Sequence, residues 1–459
     1  MDRICFIKKY SKIHFIGIGG VSMSALAKYC LLNKVLVSGS DRSYSGEIEL
    51  LKSLGAEVYL KHQKSLPSGV EAVVYTSAIG EDNLELLSAM EKGIDVYKRS
   101  EFLGEIVKEF NCSVAICGSH GKTTTTAMLS EILITSGYNP TVFLGGDYKG
   151  FGNFYNGKKD LVVLEACEYK KNFLDIKPNC VIVTNVDNDH LDSYKNLEEE
   201  KESFNKFIKN SVAFVNADDK NCKSLSCKCV VSYGISEPSC YTAKNIKEVN
   251  GKQAFTIYAY GRRLGRIKLS LKGIHNVYNA LSVVAFADEN KVPFYKIKKG
   301  LEKFEGVKRR DEFIGKYKNY LCFSDYAHHP SEIDALLSSR KNIEKTLVVF
   351  QPHTYSRTKF LMEDFVKALS KVKNLIIYKT FPARESFDEE GDAKKLYKNI
   401  KKINNKAKYL SSIEELKKEI LTFNGIEEIY FVGAGDLYDI VRKKLFQINA
   451  KNNLQNSLK

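Results

Sequence analysis

Residues 113–130 read SVAICGSHGKTTTTAMLS, and their layout decides how the rest of the chain is read. A short apolar run leads into Gly118, Ser119, His120, Gly121 and Lys122, and a threonine run beginning Thr123-Thr124 opens a helical pattern. Strand, glycine turn, lysine-threonine and helix is the layout of a phosphate-binding loop. Glycines let the backbone curl so that successive N–H groups converge, and the helix N-terminus adds partial positive charge. Lys122 then reaches the terminal phosphates and the Thr123 hydroxyl holds Mg²⁺. The common G-x-x-x-x-G-K-T spacing is not kept, because Ile116 stands where the first glycine belongs. The bland alternative is a strand-turn-helix with an incidental GKT.

Upstream, IHFIGIGGVSMSALA places a strand, Ile13 to Ile16, before Gly17, Gly19 and Gly20 and then a helix. This is close to the dinucleotide fingerprint G-x-G-x-x-G, with Ser22 in the third glycine position. A second strand, Lys34 to Val37, ends in Ser38-Gly39-Ser40-Asp41. Asp41 lies roughly 20 residues past the glycines, where an acid meets a ribose hydroxyl. The pattern points to a docked diphosphate or nucleotide and says nothing of a nicotinamide ring. A strand at Ala72 to Thr76, then Ser77-Ala78, and an Arg99-Ser100-Glu101 segment complete a first α/β domain near residue 108.

Downstream, strand Thr141 to Leu144 leads to Gly145-Gly146 and a glycine-rich loop expected to be mobile. LVVLEACEY then delivers Glu165 and Glu168 at a strand end, and VIVTNVDNDHLD delivers Asn185, Asp187, Asp189, His190 and Asp192. Ligands of open parallel sheets bind outside such strand ends. An acid and a histidine there suit a nucleotide-bound cation, since Mg²⁺ takes few protein ligands and prefers oxygen. The competing readings are a salt-bridged or capping acid for Glu165 and a turn histidine for His190. From Cys229 to Leu271 the texture becomes alternating strands, with Asn250-Gly251 as a hairpin signal. A helix over Gly273 to Ala287 carries His275, Asn276 and Asn279 at its start, placed to meet a base or sugar or simply to cap. A third α/β segment begins near Gly306, and its strand exits carry SDYAHHP, LVVFQPH, FPARE and GAGD. The tail after Phe446 is polar and expected to fray.

Composition narrows the classes. A chain of 459 residues predicts about two to four domains. It is 44% hydrophobic and 27% charged, with no apolar run long enough to span a membrane, so no membrane insertion is expected. The start, MDRICFIKKYSK, lacks a cleavage-site pattern, and a cytoplasmic location is the expectation. The formal charge of +15 comes from lysines spread along the whole length, without the clustered basic-aromatic face of a nucleic-acid binder. Eleven cysteines, an odd number, lack paired zinc spacing and read as reduced thiols.

Taken together, GIGGVSMSALA, SGSD, GSHGKTTT, EACEY, TNVDNDHLD, GIHNVYNAL, GVKRR, DYAHHP, FQPHTYSRT and GAGD resemble the Mur ligase family over nearly the whole chain. The resemblance implies an α/β protein of three domains. These are a Rossmann-like UDP-sugar domain (residues 1–108), a central P-loop ATPase-type domain with a small antiparallel sheet (109–305), and a Rossmann-like amino-acid domain (306–459). It implies an ATP- and Mg²⁺-dependent ligase of peptidoglycan-precursor synthesis, acting on UDP-N-acetylmuramate and L-alanine through an acyl phosphate.

By the same resemblance, Gly17, Gly19, Gly20, Ser40, Asp41 and Ser77 belong to the UDP-sugar site. Gly118 to Thr124, Asn276, Asn279, Lys308 and Arg309 belong to ATP; Thr123, Glu165 and His190 to the metal; and Tyr326, His328 and Arg357 to the amino acid. Lys122, Glu165, His190, His328 and Arg357 form the catalytic set. His328 or His353 is the candidate base for the amine proton. Ser22, Cys167 and Thr354 depart from the family pattern, with Cys167 where many members have aspartate. Rival readings are a sister ligase that adds a preformed peptide, a nicotinamide oxidoreductase, and a regulatory ATPase. The oxidoreductase leaves the GKT loop without a role, and the ATPase leaves DYAHHP and QPHTYSRT without one. Oligomeric state is left open.

Overall fold

The computed structural model describes residues 6–187, 193–340, 342–383 and 385–446. Its strands form three sheets, and the polar motifs lie mostly at their exits. The first has the order β3-β2-β1-β4-β5, with β1 Lys12–Ile16, β2 Leu36–Ser40, β3 Glu57–Tyr59, β4 Ala72–Tyr75 and β5 Asp95–Lys98. Every pairing in it is parallel. Short apolar strands separated by helices cannot turn straight back as hairpins, so they wind in parallel and bury both faces. The second strand sits slightly later than the sequence suggests. It runs to Ser40 because its last residues pair with β1 and β3.

The second sheet is built from β6 Cys112–Cys117, β7 Pro140–Tyr148, β8 Gly152–Tyr155, β9 Lys158–Glu165, β10 Cys180–Val183, β11 Val212–Asn216 and β12 Cys229–Gly234. It is completed by β13 Tyr241–Val249, β14 Lys252–Ala259 and β15 Arg262–Leu269, in the order β15-β14-β13-β12-β11-β10-β6-β9-β7-β8. The phosphate-loop strand β6 is central, and Val114 to Cys117 are wholly buried, as a strand covered on both faces requires. The antiparallel strands β13–β15 prolong this sheet, because β13 pairs in parallel with β12. Asn250 and Gly251 take positive φ (51° and 73°) at the β13–β14 hairpin, as the asparagine-glycine signal predicts.

The loop expected at Gly145-Gly146 is instead strand. β7 continues through it and pairs antiparallel with β8. Gly145 donates its N–H to Glu165 Oε1 at 2.6 Å, and a Cβ there would lie 2.7 Å from Glu165 Oε2. Glycine at this point admits a carboxylate side chain against the strand.

The third sheet comprises β16 Glu312–Tyr317, β17 Tyr320–Asp325, β18 Thr346–Phe350, β19 Asn374–Tyr378, β20 Lys408–Leu410 and β21 Glu428–Val432. Its order is β16-β17-β21-β18-β19-β20, parallel except for the β16–β17 hairpin. The chain divides into two compact units. One is built on residues up to Ser270 with Asn276–Glu305, and the other on Leu271–His275 with residues from Gly306 onward. The first unit carries the first two sheets, and the second carries the third. No helix among the described residues is long and apolar enough to cross a membrane.

Within the first unit the two sheets are tied by packing. The helix Arg99–Val107 lies against the segment Tyr169–Asp175, and a Cβ on Gly104 would sit 2.3 Å from the Asp175 carbonyl oxygen. Backbone cannot move aside as a side-chain tip can. Gly104→Ala should therefore lower unfolding stability by about 1–3 kcal/mol in a chemical denaturation curve. An unchanged midpoint and slope would contradict this packing.

Candidate functional site

Gly118 and Gly121 adopt φ of +127° and +82°, so the loop after β6 curls as only glycine does without strain. Gly121 is the N-cap of the helix Lys122–Thr135, whose first turn carries no acid. The loop is fastened to the exit of β10. Thr184 Oγ1 donates to the His120 carbonyl at 2.7 Å, the His120 N–H donates to Asn185 Oδ1 at 2.9 Å, and Ser119 Oγ donates to the Asp187 carbonyl at 3.0 Å. Thr123 to Thr126 are all buried in the helix. β-Branched residues are weak helix formers, so tertiary packing holds this turn rather than propensity.

Lys122 is folded back into its own loop. Its ammonium donates to the Gly118 and Ser119 carbonyls and to Glu168 Oε1 at 2.9 Å. Burial alone would lower its pKa, but the Glu168 charge outweighs that and holds it well above the ordinary lysine value. Glu168 has no exposed side-chain surface. Thr123 Oγ1 donates to Glu165 Oε2 at 3.0 Å, so the threonine and the β9 carboxylate form one oxygen-rich corner. Asn276 and Asn279 are buried at the start of the helix Ile274–Glu289. Asn279 Oδ1 would lie 2.8 Å from a Cβ on Gly121, so this helix start abuts the phosphate loop. Strand exits β6, β9 and β10 thus bring together Gly118 to Thr124, Glu165, Asn185 and Asn279. His190 lies outside the described residues.

The glycine turn after β1 is stitched to β2. The Gly17 and Ile18 N–H groups donate to the Ser40 carbonyl, and the Gly19 N–H donates to Asp41 Oδ2 at 2.9 Å. Asp41 therefore braces the turn with one oxygen. Ser40 Oγ donates to Glu85 Oε2 at 2.5 Å, and Glu85 also receives the Gln63 N–H and approaches His14 and His62. Burial opposes ionisation of Glu85, yet His14, Ser40 and the Gln63 N–H bring its pKa down to about 2. The Ser77 carbonyl accepts from Lys170 at 3.4 Å.

In the second unit, Tyr326, His328, His353 and Arg357 cluster at the exits of β17 and β18. The Tyr326 and His328 rings are 5.4 Å apart, and the His328 and His353 rings 5.9 Å. Arg357 Nη1 lies 3.3 Å from His353 Nδ1, and His328 Nδ1 lies 3.0 Å from the Tyr326 carbonyl. Arg309 is turned into its own unit. Its guanidinium stands over the Tyr326 and Tyr438 rings and donates to the Gly433 and Gly435 carbonyls. Lys308 is its neighbour in the same turn.

Sequence reasoning missed three elements: Glu168 as the partner of Lys122, the His14–Glu85–His62 network, and Arg99. Glu168 did stand at a strand exit, which was the available signal. The other two depend on pairings between distant segments.

Glycine turn, lysine, hydroxyl and acid at the carboxyl ends of a parallel sheet, in a chain that carries two further largely parallel sheets, mark a nucleotide-dependent α/β enzyme. Residues 12–111 match the Mur ligase family catalytic domain, 116–287 the Mur ligase middle domain and 309–429 the Mur ligase glutamate ligase domain. The chain belongs to the Mur ligase family, whose three-domain α/β fold and ATP dependence it shares. It is 41% identical over 454 residues to the UDP-N-acetylmuramate–L-alanine ligase of Aquifex aeolicus, covering 96% of this chain and 99% of that one. Identity to the enzyme of the same name from Clostridium acetobutylicum is also 41%, over 94% of this chain and 96% of the relative. The crystal structure of the UDP-N-acetylmuramate–alanine ligase of Thermotoga maritima superposes with a TM-score of 0.82 at 30% identity, covering 95% of this chain and 98% of that one.

Two outcomes follow from the electrostatics. Glu168→Ala leaves the Lys122 charge enclosed without its carboxylate and should cost about 3–5 kcal/mol of stability. Lys122→Met added to Glu168→Ala should recover part of this in a double-mutant cycle; strict additivity would show that the two charges are not coupled. His353 titrates differently. Burial, then the His328 and Arg357 charges, push its pKa down to about 3, against about 6.5 in an unfolded chain. Its neutral form thus stabilises the fold above about pH 6.5, and that contribution is lost as pH falls toward 3. At pH 5 the loss is roughly 2 kcal/mol. His353→Gln should flatten the fall in melting temperature between pH 7 and pH 5, and an equally steep fall would rule this out.

Proposed function

We propose that the protein joins L-alanine to the lactyl carboxylate of UDP-N-acetylmuramate with ATP, releasing ADP and phosphate, as a step in peptidoglycan-precursor synthesis. The observation that carries this reading is the meeting of Lys122, Thr123 and Glu165 on one sheet end. Full-length relatives named as alanine ligases support the choice of substrates. The working division is a UDP-sugar domain to residue 108, an ATP domain to 305 and an amino-acid domain beyond. A cytoplasmic location and the absence of a nucleic-acid partner are part of the same reading.

A carboxylate is a poor electrophile, so the γ-phosphoryl group of ATP activates it as an acyl phosphate. The amine of L-alanine attacks, and the tetrahedral intermediate expels phosphate. Two anions must be brought together, and the Lys122 ammonium with the convergent loop N–H groups offsets their repulsion. The Thr123 hydroxyl and Glu165 carboxylate offer oxygen donors that suit Mg²⁺, and the family resemblance adds His190 to the metal set. When bound, the cation screens the phosphate charge. Gly118 to Thr124 cradle the phosphates, and Asn276 and Asn279 serve the adenosine side, with Lys308 and Arg309 assigned to the nucleotide as well. Gly17, Gly19, Gly20, Ser40, Asp41 and Ser77 take the UDP-sugar.

Tyr326 and Arg357 position the amino acid, Arg357 through its carboxylate. His328 is the better base for the amine proton. Its Nδ1 faces the Tyr326 carbonyl, which favours the tautomer with Nε2 unprotonated. His353, with its pKa pushed down to about 3, is the weaker acceptor. The acyl phosphate hydrolyses in water, so the site is expected to close during turnover.

The test is phosphate release from ATP and Mg²⁺ with UDP-N-acetylmuramate, varying the amine across L-alanine, glycine, L-serine and a tripeptide. Release should require both the sugar and L-alanine. Release with the tripeptide alone would move the protein to the peptide-adding sister activity, and no release with any amine would leave only a nucleotide-binding protein. Lys122→Ala should abolish turnover while UDP-sugar binding stays nearly intact.

A further inference from the structure

One partly buried cation in the first unit, Arg99, forms no ion pair among the described residues. Arg99 opens the helix that follows β5, and its Nη1 donates to the Ser22 hydroxyl at 3.0 Å. Ser22 lies in the first turn of the helix Val21–Leu32, which follows the glycine turn and has no acid there. A guanidinium has five N–H donors. Among the described residues Arg99 forms no ion pair, and its side chain makes no other hydrogen bond.

It is only partly exposed, and burial lowers its pKa, while the fields of Cys167 and Asp175 oppose that shift. Enclosing a cation without a carboxylate partner is costly, and a cation so placed is suited to a ligand anion. Cys167 connects Arg99 to the phosphate loop. Burial and then the Glu168 charge raise the pKa of its thiol, while the fields of both Lys122 and Arg99 reach it. The thiol, held neutral, is thus within the field of both cations, Lys122 of the phosphate loop and Arg99 beside the glycine turn. Lys170, bonded to the Ser77 carbonyl, adds a third positive group on the same side of the unit as the β4 exit.

We propose that Arg99 binds an anionic group of the UDP-sugar, either its lactyl carboxylate or its diphosphate, between the glycine turn and Lys122. This rests on the reading of the substrate given above. Carboxylate and phosphate oxygens offer a guanidinium the same paired, charge-assisted acceptors. Arg99 acts in binding, and it is no part of the phosphate-loop machinery.

The experiment measures affinity of UDP-N-acetylmuramate and of UDP-N-acetylglucosamine, which lacks the lactyl carboxylate, for wild type, R99K, R99M and S22A. Melting temperature and the KM for ATP are recorded for each. R99M should bind UDP-N-acetylmuramate roughly 10- to 100-fold more weakly, with R99K intermediate and the KM for ATP unchanged. Loss confined to UDP-N-acetylmuramate assigns the carboxylate, and equal loss for both sugars assigns the diphosphate. Wild-type affinity in a folded R99M, or the same loss in S22A, would overturn the proposal by making Arg99 a strut for Ser22. Failure of wild type to bind either UDP-sugar would refute the substrate reading itself, a result separable from any effect of Arg99.

Discussion

The ammonium of Lys122 is the constraint around which the first unit is arranged. It sits inside a protein loop, where an unpaired charge is strongly disfavoured. Glu168, at the end of the EACEY segment after β9, supplies the opposite charge from 2.9 Å. That pairing obliges the phosphate-loop strand and β9 to be neighbours, and they are, with Ile116 in register with Glu165. It also explains why the lysine lies against its own loop carbonyls. Its donors satisfy two loop carbonyls and Glu168 together.

Parallel winding puts the rest of the chemistry at the same sheet end. Glu165 leaves β9, Thr184 and Asn185 leave β10, and Gly118 leaves β6, so residues from distant parts of the chain meet without any long loop. The glycine turn after β1 follows the same rule in the first sheet, with Ser40 and Asp41 arriving from β2. The helix Arg99–Val107 then packs on the segment that follows Glu168. Within this unit the glycine turn after β1, through Arg99 on Ser22, and the loop after β6, through Glu168 on Lys122, are therefore tied to a helix and a segment that pack on each other.

Local signals in the chain were read correctly where the physics is local. The glycines before Lys122, the asparagine-glycine hairpin and the short apolar strands each depend on a few adjacent residues, and each stands where expected. Gly145-Gly146 was misjudged because glycine pairs signal flexibility, whereas here the cause is a carboxylate from β9 lying where a Cβ would be. Glu85 gave no signal. A lone glutamate in a helical stretch reads as solvated, and only the sheet brings His14, Ser40 and His62 to it. Arg99 gave no signal for the same reason, since its side-chain partner among the described residues, Ser22, lies 77 residues earlier.

The second unit handles charge differently. His328 and His353 have ring centroids 5.9 Å apart beside Arg357, and three cations in that space would repel. The arrangement avoids this by keeping His353 neutral, stacked on Phe381 at 5.6 Å. His328, with Glu332 at 3.3 Å, has the nearby carboxylate that a proton on its ring would need. One histidine is thus equipped to take a proton and its neighbour is prevented from doing so. The guanidinium of Arg357 is then the fixed positive charge of the cluster. Under the proposed function, an amino acid whose carboxylate pairs with Arg357 would present its amine to His328, the histidine of the pair equipped to accept its proton.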